Sequence, residues 1–172
     1  MDSMTSNTHR KAVSYIDKTR EYYAAQGYDK PYKWASHDDS PFSRLTKPLA
    51  ECTIGLITTA SIPKPGVGLM DDPGLLQTGD VFCTPSDPTP DALYTMDRSW
   101  DKEATHTMDL GSFFPLDHLK SLAQEGLIKS VSNRFYGIPT DYSQRQTLEN
   151  YAPQIQNWLE EDNVDAALLV PL

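Results

Sequence analysis

The chain contains 172 residues, which is enough for one domain with a sizeable core. Its 24 acidic and 15 basic residues give a formal charge of −9, and such a surface repels phosphate backbones, so nucleic-acid binding is disfavoured. The sequence has no apolar run near the ~20 residues that cross a bilayer, and its first ten residues are polar. We therefore expect a cytoplasmic protein without membrane contact.

The N-terminal part of the chain predicts a tail, a helix and a loop. Residues 1–9 are rich in Ser, Thr and Asn, which predicts a disordered tail, and residues 10–172 are expected to form a single α/β domain. A helix is expected to run to about Gln26, with Gly27 as its C-terminal glycine. The proline-rich and aromatic stretch 28–48 predicts an ordered loop.

Two apolar segments predict neighbouring strands of one sheet. Residues 53–59 and 165–170 are short and nearly continuous in apolar character, which is typical of parallel strands buried on both faces. We expect these segments to be adjacent or nearly adjacent parallel strands.

The chain between these strands predicts four further elements and a long turn-rich loop over 60–90. Short strands are expected at 93–96 and 128–131, and helices at 115–124 and 143–162. Large apolar residues at the start of the first of these helices are expected to be buried, namely Phe113, Phe114, Leu116, Leu119 and Leu122. Pro115 should open that helix, and Pro153 should kink or split the later one. Alternating helices and buried strands indicate a three-layer α/β fold, with a mostly parallel sheet and helices on both faces.

The end of the first strand is the expected ligand site, because open parallel sheets bind ligands beyond the carboxyl ends of their strands. Thr58, Thr59 and Ser61 stand there, and we predict that their hydroxyl and backbone N–H groups contact a substrate carboxylate. The alternative is that they only complete the strand. No two histidines are four residues apart, so a helical zinc motif is absent and no metal is expected.

A second candidate group is acidic and contains a histidine. His106 stands near Asp101, Glu103 and Asp109, and a nearby carboxylate would favour its charged form and make it a proton carrier. We predict that His106 or Asp109 delivers a proton, with a solvated loop histidine as the alternative.

Four segments, in order, resemble the selenoprotein B subunit of the glycine, sarcosine and betaine reductases and its relative in D-proline reductase. They are LITTASI at 56–62, GDVF at 79–82, MDLGSFFPLDHL at 108–119 and NVDAALLVP at 163–171. The sequence departs from the family where Gly111 replaces an asparagine and His118 replaces an arginine.

The resemblance implies a role in reductive cleavage of the C–N bond of a small amino acid or an N-methyl amino acid. Glycine, sarcosine, betaine and proline are the substrate types that it implies, and other reductase subunits are the implied partners, with a homo-oligomer as a further possibility. A selenolate or thiolate attacks the carbon that bears nitrogen, and the resemblance places this selenocysteine or cysteine beyond Leu172. No cofactor is expected within the chain itself.

Three hypotheses follow from the position of the expected nucleophile. The chain is cut short at a selenocysteine codon, or it is a natural fragment that needs a second polypeptide, or it is a homologue with a binding or structural role. A non-catalytic subunit that binds a small ligand or a partner is therefore the alternative to a reductase subunit.

Overall fold

The structure is a computed structural model that describes residues 14–28, 30, 35, 38–39, 43–62, 79–95 and 106–172. The backbone divides into two compact units, Met1–Pro41 and Phe42–Leu172. The predicted tail 1–9 lies outside the described residues, as do Met96, Asp101 and Glu103.

The described part of the first unit is mainly helix α1, Ser14–Ala25. Gly27 has φ +86°, a left-handed conformation that glycine adopts without a steric penalty, and its N–H bonds to the Ala24 carbonyl at 3.0 Å. The helix therefore ends at the predicted glycine. The rings of Tyr22 and Tyr23 meet edge to face and are exposed.

The second unit contains a sheet of five strands and the remaining helices. The strands are β1 (Thr53–Thr58), β2 (Phe82–Pro85), β3 (Ser130–Val131), β4 (Arg134–Gly137) and β5 (Ala166–Val170). The α-helices are α2 (Leu116–Gln124), α3 (Gln144–Gln146) and α4 (Ala152–Glu161). Short 3-10 turns cover Leu49–Glu51 and Leu110–Ser112, and a π-helical turn, Thr147–Tyr151, joins α3 to α4.

Strand β1 is the centre of the sheet. On one side it pairs in parallel with β5, from Ile54↔Ala166 to Thr58↔Val170. On its other side β3 and β4 pair in parallel with its first and last residues, and β2 runs antiparallel to β4. The predicted α/β class, the mostly parallel sheet and the parallel pairing of the two apolar segments are therefore confirmed.

The two helical layers lie on opposite faces of the sheet. One core contains Leu56 together with Leu116 and Leu119 of α2. The other contains Ile57 and Ile155 of α4. Because successive strand residues point to opposite faces, this alternation along β1 places α2 and α4 on the two sides.

Gly55 allows α4 to approach β1 closely. A Cβ atom at this position would lie 2.8 Å from Cδ2 of Leu159 and 3.1 Å from Cγ1 of Val164. A larger residue would therefore push the α4 layer away from the sheet.

The segment around α2 follows the prediction. Phe113 and Phe114 are buried, and the Phe114 ring meets that of Phe135 with centroids 4.7 Å apart. Pro115 is the N-cap of α2, which begins one residue later. The predicted buried residues Leu116 and Leu119 are buried, and Leu122 is partly buried against the same core.

Two predictions of local structure need correction, and two strands were not predicted. β5 was expected to be buried on both faces, but Leu169 is 68% exposed and Leu168 40% exposed, because β1 is the only described strand beside it. In place of the predicted strand, the described residues 93–95 contain only an isolated bridge from Tyr94 to Ser61. The unpredicted strands are β2 and β4.

The predicted helix 143–162 is divided, as the prediction for Pro153 allowed. It consists of α3, the π-helical turn and α4, and Pro153 lies in the first turn of α4.

Candidate functional site

The carboxyl ends of β1 and β5 meet at one edge of the sheet, and Thr59 connects them. Its Oγ1 accepts the backbone N–H of Leu172 at 2.8 Å and lies 3.2 Å from the Leu172 carbonyl oxygen, to which it donates. Since a threonine hydroxyl has one donor and two acceptor sites, both bonds fit one side chain. Thr59 thus fixes the backbone position of Leu172 beside β1.

The other two residues of the predicted site, Thr58 and Ser61, are buried near the end of β1. Thr58 is 1% exposed, and its Oγ1 accepts the N–H of Ala60 at 3.0 Å. Ser61 is also buried, and its backbone exchanges two hydrogen bonds with Tyr94, at 2.6 and 2.9 Å. These hydrogen bonds stabilise the chain at the strand end. Binding of a substrate carboxylate by Thr58 or Ser61 stays a prediction.

Asp109 and His106, the predicted proton carriers, are both exposed. The Asp109 carbonyl accepts the Ser112 hydroxyl at 2.7 Å in the 3-10 turn. The described contacts connect neither side chain to the strand-end hydroxyls, so their catalytic role stays a prediction.

Gly111 lies close to the side chains of both Asp109 and His118. A Cβ atom on Gly111 would lie 3.5 Å from Nε2 of His118 and 3.6 Å from Oδ1 of Asp109. Two of the positions that depart from the family that the sequence resembles, 111 and 118, are therefore spatial neighbours. Sequence spacing did not reveal that Gly111 and His118 are neighbours, because they belong to different elements, a 3-10 turn and α2.

A half-buried acid lies at the other end of the sheet, and sequence analysis did not identify it. Asp162 follows α4 and accepts hydrogen bonds from Arg134 at 2.8 and 2.9 Å and from the hydroxyl of Tyr136. Ser132 also reaches this carboxylate, at 3.5 Å. Because Arg134 begins β4, the group lies at the amino ends of the parallel strands and away from Leu172.

The ionisation of this group follows from its contacts. Burial is the largest effect on Asp162 and acts to raise its pKa, but the hydrogen bonds from Arg134, Tyr136 and Ser132 together hold the pKa below its ordinary value. Burial, followed by the bond to Asp162, raises the pKa of Tyr136 well above its usual range. The ion pair and the hydrogen bonds of Asp162 therefore connect β4 with the end of α4.

Two open cavities adjoin the segment that follows β2, and Asp87 lines both. The larger has a volume of 590 Å³ and is mainly apolar, and its walls include Ile62, Pro88, Pro90 and Asp91. Asp87 is paired with Lys120, so Asp91 and the apolar walls are the features that suit a small cationic amine better than an anion.

The smaller cavity, of 360 Å³, is lined mostly by residues of polar type. Ser86, Asp87, Lys120 and Asn133 are among its lining residues. The Ser86 hydroxyl is buried and has no hydrogen-bond partner in the described ranges. Lys120 is held by Asp87 at 3.1 Å and by the Thr89 hydroxyl at 2.9 Å.

The described residues contain neither a metal-binding cluster nor a membrane-spanning helix. That part of the chain contains no group of three or more His, Cys, Asp or Glu side chains arranged to hold a metal ion. Its helices include none with the length and apolar character needed to cross a bilayer.

A family model and a curated relative match this chain. A family model described as glycine/sarcosine/betaine reductase selenoprotein B matches residues 85–171, which run from the end of β2 past β5. The chain is also similar to D-proline reductase subunit gamma of Acetoanaerobium sticklandii, with 30% identity over 130 residues. No solved structure matches the chain significantly.

These matches cover enough of the chain to establish the family to which it belongs. The alignment with subunit gamma covers 73% of this chain and 50% of the relative, so the chain spans about half the length of that protein. The family model matches just over half of this chain. The chain belongs to the glycine/sarcosine/betaine reductase selenoprotein B family.

Proposed function

We propose that this chain is part of the substrate-activating subunit of a reductase that cleaves the C–N bond of a small amino acid or N-methyl amino acid. The observation that carries the proposal is the family match over 85–171, which includes β5 and ends beside Leu172. Other reductase subunits are the proposed partners, and the relative is itself named as a subunit. The cytoplasm is the proposed location.

The proposed chemistry uses the carboxyl edge of the sheet. A selenocysteine or cysteine beyond Leu172 would attack the carbon that bears nitrogen, so that a C–Se or C–S bond forms, the C–N bond breaks and the amine leaves with a proton. In this proposal Thr59 is a positioning residue, because it holds the backbone next to the nucleophile. Thr58, Thr59 and Ser61 are the proposed carboxylate contacts, and His106 or Asp109 is the proposed proton donor.

The test uses a form of the protein extended by a cysteine and downstream residues after Leu172. We expect iodoacetamide to modify the new thiol. We expect the substrate to protect this thiol from modification, and the substrates to test are glycine, sarcosine, betaine and proline. Thr59→Val should slow this modification or abolish the protection, whereas Thr59→Ser, which retains the hydroxyl, should behave as the parent. The 172-residue chain by itself should show no turnover.

Two results would overturn the proposal. Cys83 in β2 is half-buried and Cys52 is buried, so Cys83 is the more accessible of the two free thiols. Turnover by the 172-residue chain that survives Cys83→Ser would show that the nucleophile lies elsewhere. An unreactive thiol in the extended chain would favour the second candidate below.

The second candidate is binding of a small ligand without catalysis, and the 590 Å³ cavity favours it. Asp91 lines this cavity beside apolar walls, as does Asp87, whose carboxylate is paired with Lys120. Calorimetric titration with betaine and with proline tests it, because Asp91→Asn should weaken binding of a cationic amine at this site. Binding unaffected by that substitution would contradict it.

A further inference from the structure

β5 presents an edge that the described part of the chain leaves unpaired on one side. It pairs with β1 and with no other described strand. Its five residues, AALLV, include no charge and no proline. Natural edge strands are usually protected by charges, prolines or bulges, so an unprotected edge of this kind is a template for another strand.

The backbone directions identify which groups face this open edge. The Thr58 carbonyl accepts the N–H of Ile138, on the β4 side of β1. Because consecutive residues face opposite neighbours, Ile57 faces β5, where its register partner is Leu169. In a parallel ladder, the residue in register with one that faces the neighbouring strand points its own N–H and C=O away from that pairing. Leu169 therefore points its N–H and C=O away from β1. The backbone groups of Leu169, and of Ala167 two residues earlier, therefore point at the open edge.

The side chains beside this edge are apolar on both faces. Leu169 lies next to Ile57 on the α4 face and is 68% exposed, although Ile57 is buried. Leu168 lies next to Leu56 on the α2 face and is 40% exposed, although Leu56 is fully buried. In the described part of the chain the helices cover β1 but leave Leu168 and Leu169 of β5 exposed, one on each face, whereas parallel sheets are normally covered on both faces.

We propose that a polypeptide segment outside this chain covers β5, by adding a strand parallel to its edge and packing an apolar helix face over Leu169. Subunit gamma is about twice as long as the part that this chain matches, so that relative contains a comparable length of polypeptide outside the match. All the strands that pair with β1 are parallel to it, which favours a parallel addition. The inference rests on β5 and on family membership, and is independent of the proposed catalysis.

A second copy of this chain fits the edge less well. A twofold-symmetric pair would join the two β5 strands in antiparallel fashion. Each copy also carries a formal charge of −9, which opposes the approach of another copy.

The test combines this chain with the part of D-proline reductase subunit gamma that lies outside the match, as a separate polypeptide co-expressed in the same cells. We expect a 1:1 complex by analytical ultracentrifugation. Leu169→Lys should weaken it at least tenfold. The control is Leu148→Lys, because Leu148 is similarly exposed, at 71%, but lies in the π-helical turn. Circular dichroism should show that both variants fold.

Hydrogen exchange provides a second readout that needs no substitution. In the free chain the amides of Ala167 and Leu169 should exchange rapidly and those of Leu168 and Val170 slowly, and in the complex all four should be protected. The inference is overturned if no complex forms, if the two lysine variants bind equally, or if the Ala167 and Leu169 amides are already protected in the free chain. It is also overturned if the chain alone dimerises through β5, which would assign the edge to a second copy.

Discussion

The hydroxyl of Thr59 holds both backbone polar groups of Leu172, accepting its N–H at 2.8 Å and donating to its carbonyl oxygen 3.2 Å away. This side chain takes the position that a further backbone pair would occupy between β1 and β5. The contact keeps the two parallel strands together beyond the last pair of their ladder, Thr58↔Val170.

The first prediction concerns this contact. Thr59→Val removes the hydroxyl but keeps the shape, so it should cost about 1–2 kcal/mol in the free energy of unfolding and accelerate exchange of the Leu172 amide. Thr59→Ser should leave the unfolding free energy and the exchange rate of the Leu172 amide nearly unchanged. Urea titration and amide exchange by NMR measure the two effects, and equal behaviour of the two variants would argue against an anchoring hydroxyl.

The second prediction concerns the aromatic core under α2. Phe114 is buried against Phe135, so Phe114→Ala should lower the free energy of unfolding by ~3–5 kcal/mol. The control is Met108→Ala, at an exposed side chain, which should change stability by less than about 0.5 kcal/mol. Denaturant titration measures the unfolding free energy of both variants. Similar losses of unfolding free energy in the two variants would contradict this packing.

The third prediction concerns Gly137, which stands opposite Phe82 in the antiparallel pair of β2 and β4. A Cβ atom there would collide with the Phe82 ring, so Gly137→Ala should destabilise the fold by roughly 1–3 kcal/mol. Gly111→Ala is the control, because its Cβ would find no atom nearer than 3.5 Å. Thermal melting of both variants tests this, and a Gly137→Ala protein as stable as the parent would show that the ring does not lie over the glycine.

The fourth prediction concerns pH. Because the pKa of Asp162 is lowered in the folded state, the stability that this carboxylate contributes is fully present above its unfolded pKa, near 4, and is lost as the pH falls through the folded value. The difference in unfolding free energy between the parent and Asp162→Asn should thus be largest near neutral pH and shrink below about pH 4. Urea titrations from pH 7 to pH 3 measure it. A difference that stays constant over this range would refute the assignment.

The elements predicted from sequence are those whose signals are local. β1 and β5 are continuous apolar runs, and α2 lies between Pro115 and Gly126, where φ is +74°. β4 was missed because it has only two large apolar residues between Arg134 and Gly137. β2 was missed because it ends in Pro85, within a proline-rich stretch.

The candidate site was less predictable, because its contacts join distant parts of the chain. Thr59 was selected from its place at a strand end, but its bond to Leu172 spans 113 residues and has no local signature. The contact of Arg134 with Asp162 likewise spans 28 residues. The exposure of β5 depends on which strands lie beside it, and the composition of a strand does not specify its neighbours.

The central place of β1 also has a consequence for folding. Thr53 meets Ser130 across 77 residues and Asp165 across 112, so the earliest strand of the sheet finds its parallel partners only in the second half of the chain. Each contact requires closure of a long loop before burial compensates the lost entropy. Non-local pairing of this kind slows folding relative to helical proteins of similar size. During synthesis β1 therefore remains without its β5 partner until more than 100 further residues have been made.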